Sequence, residues 1–480
     1  MEKTRTVERP SAIAAPWLLE ARALARLAAP LIATQLAQMA IFTTDVVLLG
    51  RYSKTALAAA AIGNTVYYFA WLVGNGPAAA VAPMIAHSLG ARANERAGVR
   101  AALRMGVWAI ALVSPPMMVV MWFARPILIA LHQDPVLAAG AGQFVGVLSF
   151  GLPFSLGYMV LRNFVTALGR PNAAFWVMVA TIGFNALAGY ALIFGHFGAP
   201  RLGIVGSGLA TASSAIFSFV AMLALIQANP ALRAYRIFRR FWRPARLRLA
   251  EVFQLGMPIG MTMMLESMFF SAMTLVIGTF GLVQVAAHQL AISVASITFM
   301  VPLGVAMAAT VRVGLAAGRG DPVAARRAGL TAMAMGVVFI AAGGVAMALW
   351  GAQMAALLVG GRASDNADVI ALAAVFLKVA AAFQVFDALQ VVGALSLRGL
   401  KDARAPMIIA AGAYWLVGAP VCFALGFGLH MRGLGVWIGM AVGLAAAAIA
   451  MVARFQQLTR PDFRAAGPQI LSGRAHSIGR

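Results

Sequence analysis

Three carboxylates, Asp45, Glu266 and Asp387, stand well inside long apolar stretches of this chain, whereas the other eleven acidic residues lie in tails, loops or the ends of such stretches. A carboxylate at the middle of a membrane helix costs about 2.5–3.5 kcal/mol on an insertion scale, so a functional role is the first reading of each. Asp387 is flanked by Gln384 and Gln390 at intervals of three, which puts all three side chains on one helix face. Glu266 has Thr262 and Ser267 nearby. Oxygen-rich faces of this kind suit a hard cation such as sodium, held by carboxylate, hydroxyl and carbonyl oxygens. They equally suit a carried proton on a carboxylate that desolvation or a second carboxylate makes more basic. If Glu266 and Asp387 approach each other, their mutual repulsion favours capture of one cation between them. Asp45 lies nearer the end of its stretch, with Arg51 within pairing reach.

Further side chains suggest a cavity for an organic ligand. Asn64, Tyr67, Tyr68, Trp71 and Asn75 share the second apolar stretch, Gln38 stands on the first, and Tyr414 with Trp415 on the eleventh. Methionines, Met264 and Met268 among them, crowd the stretch that carries Glu266. Thioethers adapt to varied ligands and aromatic faces attract organic cations. His288 opens the eighth stretch, as an interface residue or as a titrating group facing the cavity. Lys378 is expected to snorkel to the interface.

These residues need elements to hold them, and composition says which. Of the 480 residues 62% are apolar and only 11% charged, against about 25% charged in an ordinary soluble domain. Runs long enough to span a bilayer recur at 27–50, 57–87, 105–124, 143–165, 172–195, 206–228, 253–278, 285–315, 329–350, 371–397, 406–428 and 433–453. The alternating short segments of a membrane barrel are missing. The expected fold is all-α, with twelve transmembrane helices.

The net charge of +23 would invite nucleic acid were it not so unevenly placed. Alternate loops carry 19 Lys and Arg on one side, counting Arg162 and Arg398 at helix ends, and 6 on the other. The positive-inside rule then places both termini in the cytoplasm, and the excess charge faces anionic headgroups rather than nucleic acid. Residues 1–26 read as a cytoplasmic tail without a cleavable signal. One cysteine, Cys422, excludes disulfides and thiolate metal clusters.

The chain also repeats itself at an offset of 228 residues. Pro30 matches Pro258, Gly50 matches Gly278, Gly76 matches Gly304 and Gly90 matches Gly318, without a gap. The implied organisation is an N-terminal six-helix half (27–228), a basic linker (229–252), a C-terminal half (253–453) and a cytoplasmic tail (454–480). Six spans per half make the repeat parallel, with a pseudo-twofold along the membrane normal, a known basis for alternating access. No Walker-type loop ending in GK[ST] and no HExxH spacing occurs. Transport would draw on an ion gradient or run downhill.

Thr44-Asp45-Val46-Val47-Leu48-Leu49-Gly50, Leu255-Gly256-Met257-Pro258 leading to Glu266, and Phe386-Asp387-Ala388-Leu389-Gln390 followed by Leu397-Arg398-Gly399 resemble the motifs of the multidrug and toxic compound extrusion family. The resemblance spans about residues 25–455. It implies an antiporter expelling amphipathic, often cationic compounds against inward sodium or proton flow across a bacterial inner membrane. By position, Glu266 and Asp387 look like the acidic pair of the NorM-type branch, with sodium as one candidate ligand, and Asp45 like the carboxylate of the N-terminal half. Some relatives carry a second acid four residues after the asparagine of the fifth helix; here Gly189 stands at that spacing from Asn185, which moves the expected coupling to the C-terminal half. The resemblance implies no cofactor beyond the coupling ion, and a monomer is expected. A flippase for lipid-linked precursors on the same architecture would need cationic side chains inside the spans. An intramembrane enzyme would need a catalytic constellation at one interface, and none is evident.

Overall fold

The computed structural model describes residues 14–92, 95–239, 241–243, 245–359 and 366–460. Among them twelve helices are long and apolar enough to cross a membrane: α1 (Pro16–Tyr52), α2 (Lys54–Ala91), α3 (Glu95–Trp122), α4 (Pro135–Ala167), α5 (Asn172–Phe194), α6 (Ile204–Ala228), α7 (Arg246–Gly278), α8 (Leu282–Gly318), α9 (Pro322–Leu358), α10 (Ala367–Gly399), α11 (Arg404–Gly428) and α12 (Arg432–Leu458). Only helices satisfy every backbone group from within one segment, which is what lipid demands. The chain is a multi-pass membrane protein.

Helices overrun the expected spans where loops were anticipated. The first begins at Ala14, so residues 14–26 are helix rather than tail. This extension is pinned by Glu20, whose carboxylate accepts from Nε (2.8 Å) and Nη2 (2.5 Å) of Arg312 on α8. Likewise α7 starts at Arg246, inside the segment expected as linker. Two points earlier in that segment are tied to α3: the Tyr235 hydroxyl donates to Glu95 at 3.0 Å and Trp108 Nε1 donates to the Phe241 carbonyl at 3.1 Å. Burial, and then the neighbouring Glu95, push the Tyr235 phenol up to about 12. The termini 1–13 and 461–480, and Arg362 in the sparsely charged loops, lie outside the described residues.

The two halves are related as the repeat requires. Pro30 and Pro258 sit inside α1 and α7, and each lacks the N–H that would continue the ladder. One turn on, Thr34 Oγ1 donates to the Pro30 carbonyl at 2.7 Å and Thr262 Oγ1 to the Pro258 carbonyl at 2.8 Å, again positions 228 apart. Before the proline each helix crosses to the other half: Leu24 and Ala28 pack in the C-terminal core, while Val252 packs in the N-terminal core. The crossing contacts are reciprocal. A Cβ on Gly304 of α8 would meet Ile32 of α1, and one on Gly76 of α2 would meet Gly256 and Gly260 of α7. Nearest the basic loops Gly90 and Gly318, equivalents in the repeat, face each other backbone to backbone. The pseudo-twofold passes between them, and the halves are sealed at that end by glycine.

Each half has its own core. Trp437, Tyr414, Phe376, Phe455 and Phe269 fill the C-terminal one, and Phe164, Phe144 and Tyr158 the N-terminal one.

Candidate functional site

Between the halves lies a cavity of about 570 Å³, lined by α1, α2 and α4 on one side and α7, α8 and α10 on the other. Glu266 and Asp387 both line it. Asp387 is 7% exposed, and its Oδ1 has no hydrogen-bond partner; Glu266 is half-buried. The carboxylates are near enough for Glu266 to act on Asp387 electrostatically. Gln384, Asp387 and Gln390 all line the cavity, as their spacing of three requires. Gln384 is held by donation from Nε2 to the Ala295 carbonyl (2.7 Å) and exchanges a hydrogen bond with Thr298. This anchors the acidic face of α10 against α8.

Buried oxygens without partners cluster here: Asp387 Oδ1, Gln390 Oε1 and the Tyr414 hydroxyl, the last within the field of both carboxylates. A π-helical segment of α11, Gly412–Gly418, carries Tyr414 in this cluster, and a second, Ala424–Gly428, closes the same helix against Phe280; π-bulges commonly mark functional positions. Hard oxygens in a dry setting fit sodium or a proton, the two ligands inferred above.

Of the other residues singled out in the sequence, Gln38, Tyr68 and Gln384 line the cavity, together with Trp71 and Asn75. Tyr68, Trp71 and Asn75 share one face of α2, with Tyr68 and Trp71 stacked at 6.4 Å. Six do not line it. Tyr67 turns into the N-terminal core, and Asn64, half-buried one turn before Tyr68 on the same face, lies beyond the cavity lining. Met264 and Met268 leave the cavity wall of α7 to Met263 and Ser267; Met268 is 44% exposed on the outside. His288 is enclosed in the C-terminal half, bonded to Thr274 at 3.0 Å with Trp437 edge-on at 5.5 Å. Tyr414 is fully buried behind the cavity, stacked on Phe269 at 5.4 Å. Helix rotation turns Tyr67, Met264 and Met268 away from the cavity, whereas Asn64 and His288 share a face with lining residues and stand a turn beyond its end.

Asp45 lies apart from the acidic pair, inside the N-terminal half. Its Oδ2 accepts from Thr211 of α6 at 2.9 Å, with Asn185 of α5 alongside. It makes no ion pair with Arg51 among the described residues. At Gly189 a Cβ would stand 2.9 Å from Leu48 Cδ1, the movable end of that side chain, and no described backbone outside its own helix comes closer than 4 Å.

Two cations were counted with the loops and belong to the cavity. Arg162 of α4 is 3% exposed and donates from Nη1 to Gln35 of α1 at 2.9 Å. Arg398 of α10 lines the same cavity, close enough to Glu266 for their charges to act on each other. Both lie within a turn or two of a helix end, which is why sequence position assigned them to the basic loops. Lys378, in contrast, points outward and is exposed.

The MatE family model matches residues 30–191 and 258–424, one stretch in each half. A protein of Rhizobium meliloti (strain 1021) named "Probable multidrug resistance protein NorM" is 40% identical over 444 residues, 92% of this chain and 95% of its own. One of the same name from Mesorhizobium japonicum is 42% identical over 445 residues, with the same coverage. Among solved structures, the eukaryotic MATE transporter AtDTX14 superposes with a TM-score of 0.80 at 22% identity, over 94% of this chain and all of that one; at that identity the likeness speaks for the fold. Repeat, fold and near-full-length relatives agree, and the chain belongs to the MatE family of membrane transporters, on its NorM-type branch.

Proposed function

We propose that this protein is a secondary active multidrug efflux antiporter, exporting amphipathic or cationic organic molecules in exchange for sodium or protons. One observation carries the reading: two carboxylates, Glu266 and Asp387, face a cavity between two repeat-related halves. Carboxylates there are accessible to a ligand and expensive without one, so cation entry and substrate entry are coupled through the same charges. Aromatic faces at Tyr68 and Trp71 offer an organic cation its second contact. The relatives named for multidrug resistance support the substrate class.

In this reading Glu266 and Asp387 hold the coupling ion, and Gln38, Tyr68 and Gln384 contact the substrate. Asn64, Tyr67, Met264, Met268, His288 and Tyr414 act behind the cavity wall, and Asp45 plays a lesser part. The basic face is cytoplasmic, both termini lie there, and the protein works as a monomer in a bacterial inner membrane among anionic headgroups. It moves its substrate unchanged and is not an enzyme. The glycine seal between Gly90 and Gly318 closes the cytoplasmic end in this conformation. Alternation then requires the seal to part while the outer ends close. Each ligand shifts that equilibrium only by its differential affinity for the two states, so ion and drug must weaken each other's binding by the same factor.

A lipid-linked precursor flippase is favoured by one observation, the arginines Arg162 and Arg398 in the cavity. Arg398 is opposed by Glu266, however, which leaves a single uncompensated guanidinium for a diphosphate. Ethidium efflux from cells expressing the protein, measured with and without a sodium gradient and across external pH, tests the proposal. Efflux that collapses with either gradient supports antiport. No efflux under any gradient, at normal expression, overturns it.

A further inference from the structure

Arg162 is the odd charge in the cavity. The carboxylate-bearing side is the C-terminal half, where Arg398 opposes Glu266 and Asp387 remains over. On the N-terminal half Arg162 is 3% exposed and makes no ion pair among the described residues. Its bond runs to a neutral acceptor, Gln35 Oε1, and its Nε has no partner. The titratable group whose field it feels is Tyr158, a phenol. One turn further along α4 the Thr166 hydroxyl, 3% exposed, also lacks a partner and also lines the cavity. Two more exposed arginines, by contrast, are each answered by a carboxylate: Arg312 by Glu20 and Arg454 by Asp402.

A guanidinium taken out of water without a counter-charge is strongly unfavourable, and removal of one partner from a buried pair is costly for the same reason. The missing partner must therefore be supplied from the cavity. Guanidinium forks match planar carboxylates in a bidentate geometry, and a hydroxyl one turn away adds a donor to the same anion.

We propose that Arg162, with Thr166, forms an anion subsite in the central cavity, and that the preferred substrates are amphipathic zwitterions. Their carboxylate docks on the N-terminal half while their cationic end faces Glu266 and Asp387 on the C-terminal half. The inference rests on reading the cavity as the substrate site. It adds a charge requirement that a cavity for simple cations lacks. Because the two charged ends sit on different halves, such a substrate bridges the very surfaces that move during alternation.

A matched dye pair tests this. Rhodamine 110 carries a free carboxylate, and rhodamine 123 is its methyl ester, so the two differ only at the group assigned to Arg162. Binding of each to the purified protein in a maltoside detergent is followed by fluorescence polarisation. The expected result is that rhodamine 110 binds at least about tenfold more tightly than rhodamine 123. In Arg162→Gln that ratio falls to near one, and Arg162→Lys restores part of it. Equal affinities in the wild type overturn the proposal without any variant, as does an Arg162→Gln protein that keeps the wild-type ratio. A second arm adds phosphatidylglycerol: if the lipid abolishes rhodamine 110 binding at low molar excess, the subsite belongs to a headgroup phosphate and the carboxylate assignment fails. Rhodamine 123 reports on the underlying reading separately. If neither dye binds nor is exported, the cavity is not the substrate site; if rhodamine 123 binds and the ratio is one, only the anion subsite is wrong.

Discussion

Asp387→Asn separates a coupling carboxylate from a structural one, because the two roles predict opposite signs for stability. Asp387 is 7% exposed, its Oδ1 has no donor, and Glu266 adds like-charge repulsion. Nothing among the described residues pairs with it. A buried, unsatisfied polar atom costs about 1–3 kcal/mol, more when charged. Asparagine keeps the volume and removes the charge, so the variant should be more stable than wild type by about 1–2 kcal/mol. In a chain of this length that is a rise in Tm of about 1–3 °C. The wild type should recover the difference when its ion binds, since tenfold excess over Kd stabilises by about 1.4 kcal/mol; the variant should not respond. The assay is thermal unfolding of purified protein, followed by tryptophan fluorescence, in choline buffer, in sodium buffer and at acid pH, beside ethidium efflux in cells. Loss of efflux with a raised Tm that sodium or acid no longer shifts is the expected outcome. A Tm lowered by several degrees would refute the reasoning, since it would show that Asp387 holds the fold together. So would full efflux with an unchanged response to the ion.

Three further outcomes follow from contacts elsewhere. Asp45→Asn should reduce ethidium efflux less than Asp387→Asn, because Asp45 sits outside the cavity with Thr211 as donor; elimination of transport by this change alone, with Asp387→Asn active, would move coupling to the N-terminal half. Glu20→Gln should destabilise by about 1–2 kcal/mol, a discounted value because Arg312 is 29% exposed, and the exchange Glu20→Arg with Arg312→Glu should recover part of the lost Tm. Gly318→Val should hold the basic end open, because its Cβ would stand 2.4 Å from the His87 carbonyl oxygen. With fully buried Cys422 as the one native cysteine, Ala79→Cys in the cavity should then be labelled by an impermeant maleimide from the basic face, and unchanged labelling would show that the seal does not depend on that contact.

The twelve spans were legible in the sequence because lipid imposes a single requirement, an uninterrupted apolar helix, that composition alone satisfies or fails. The repeat was legible too, and for a related reason: Pro30 and Pro258, Gly76 and Gly304, Gly90 and Gly318 occupy crossings where only the smallest residues or a broken ladder fit. Asp45, Glu266 and Asp387 stood out because a charge in such a helix is costly.

Which way each helix turns was not legible. In a soluble protein the polar face marks the outside, but a membrane helix meets lipid on one side and packed apolar side chains on the other, so hydropathy has almost no direction. Tyr67 and Tyr68 are neighbours of one type, and rotation sends one into the N-terminal core and the other to the cavity. His288 and Tyr414 carry the chemistry of a site and are enclosed behind its wall. Arg162 and Arg398 count, by position, among the loop cations that orient the protein. Only the assembled halves show that the cavity reaches toward the basic end and takes both inside, where a guanidinium's counter-charge depends on residues more than a hundred positions away. The sequence alone therefore determined the number of helices, their pairing into halves and the charges they carry. The tertiary structure decided which of those charges face one another, because that depends on helix rotation and crossing, which hydropathy does not encode.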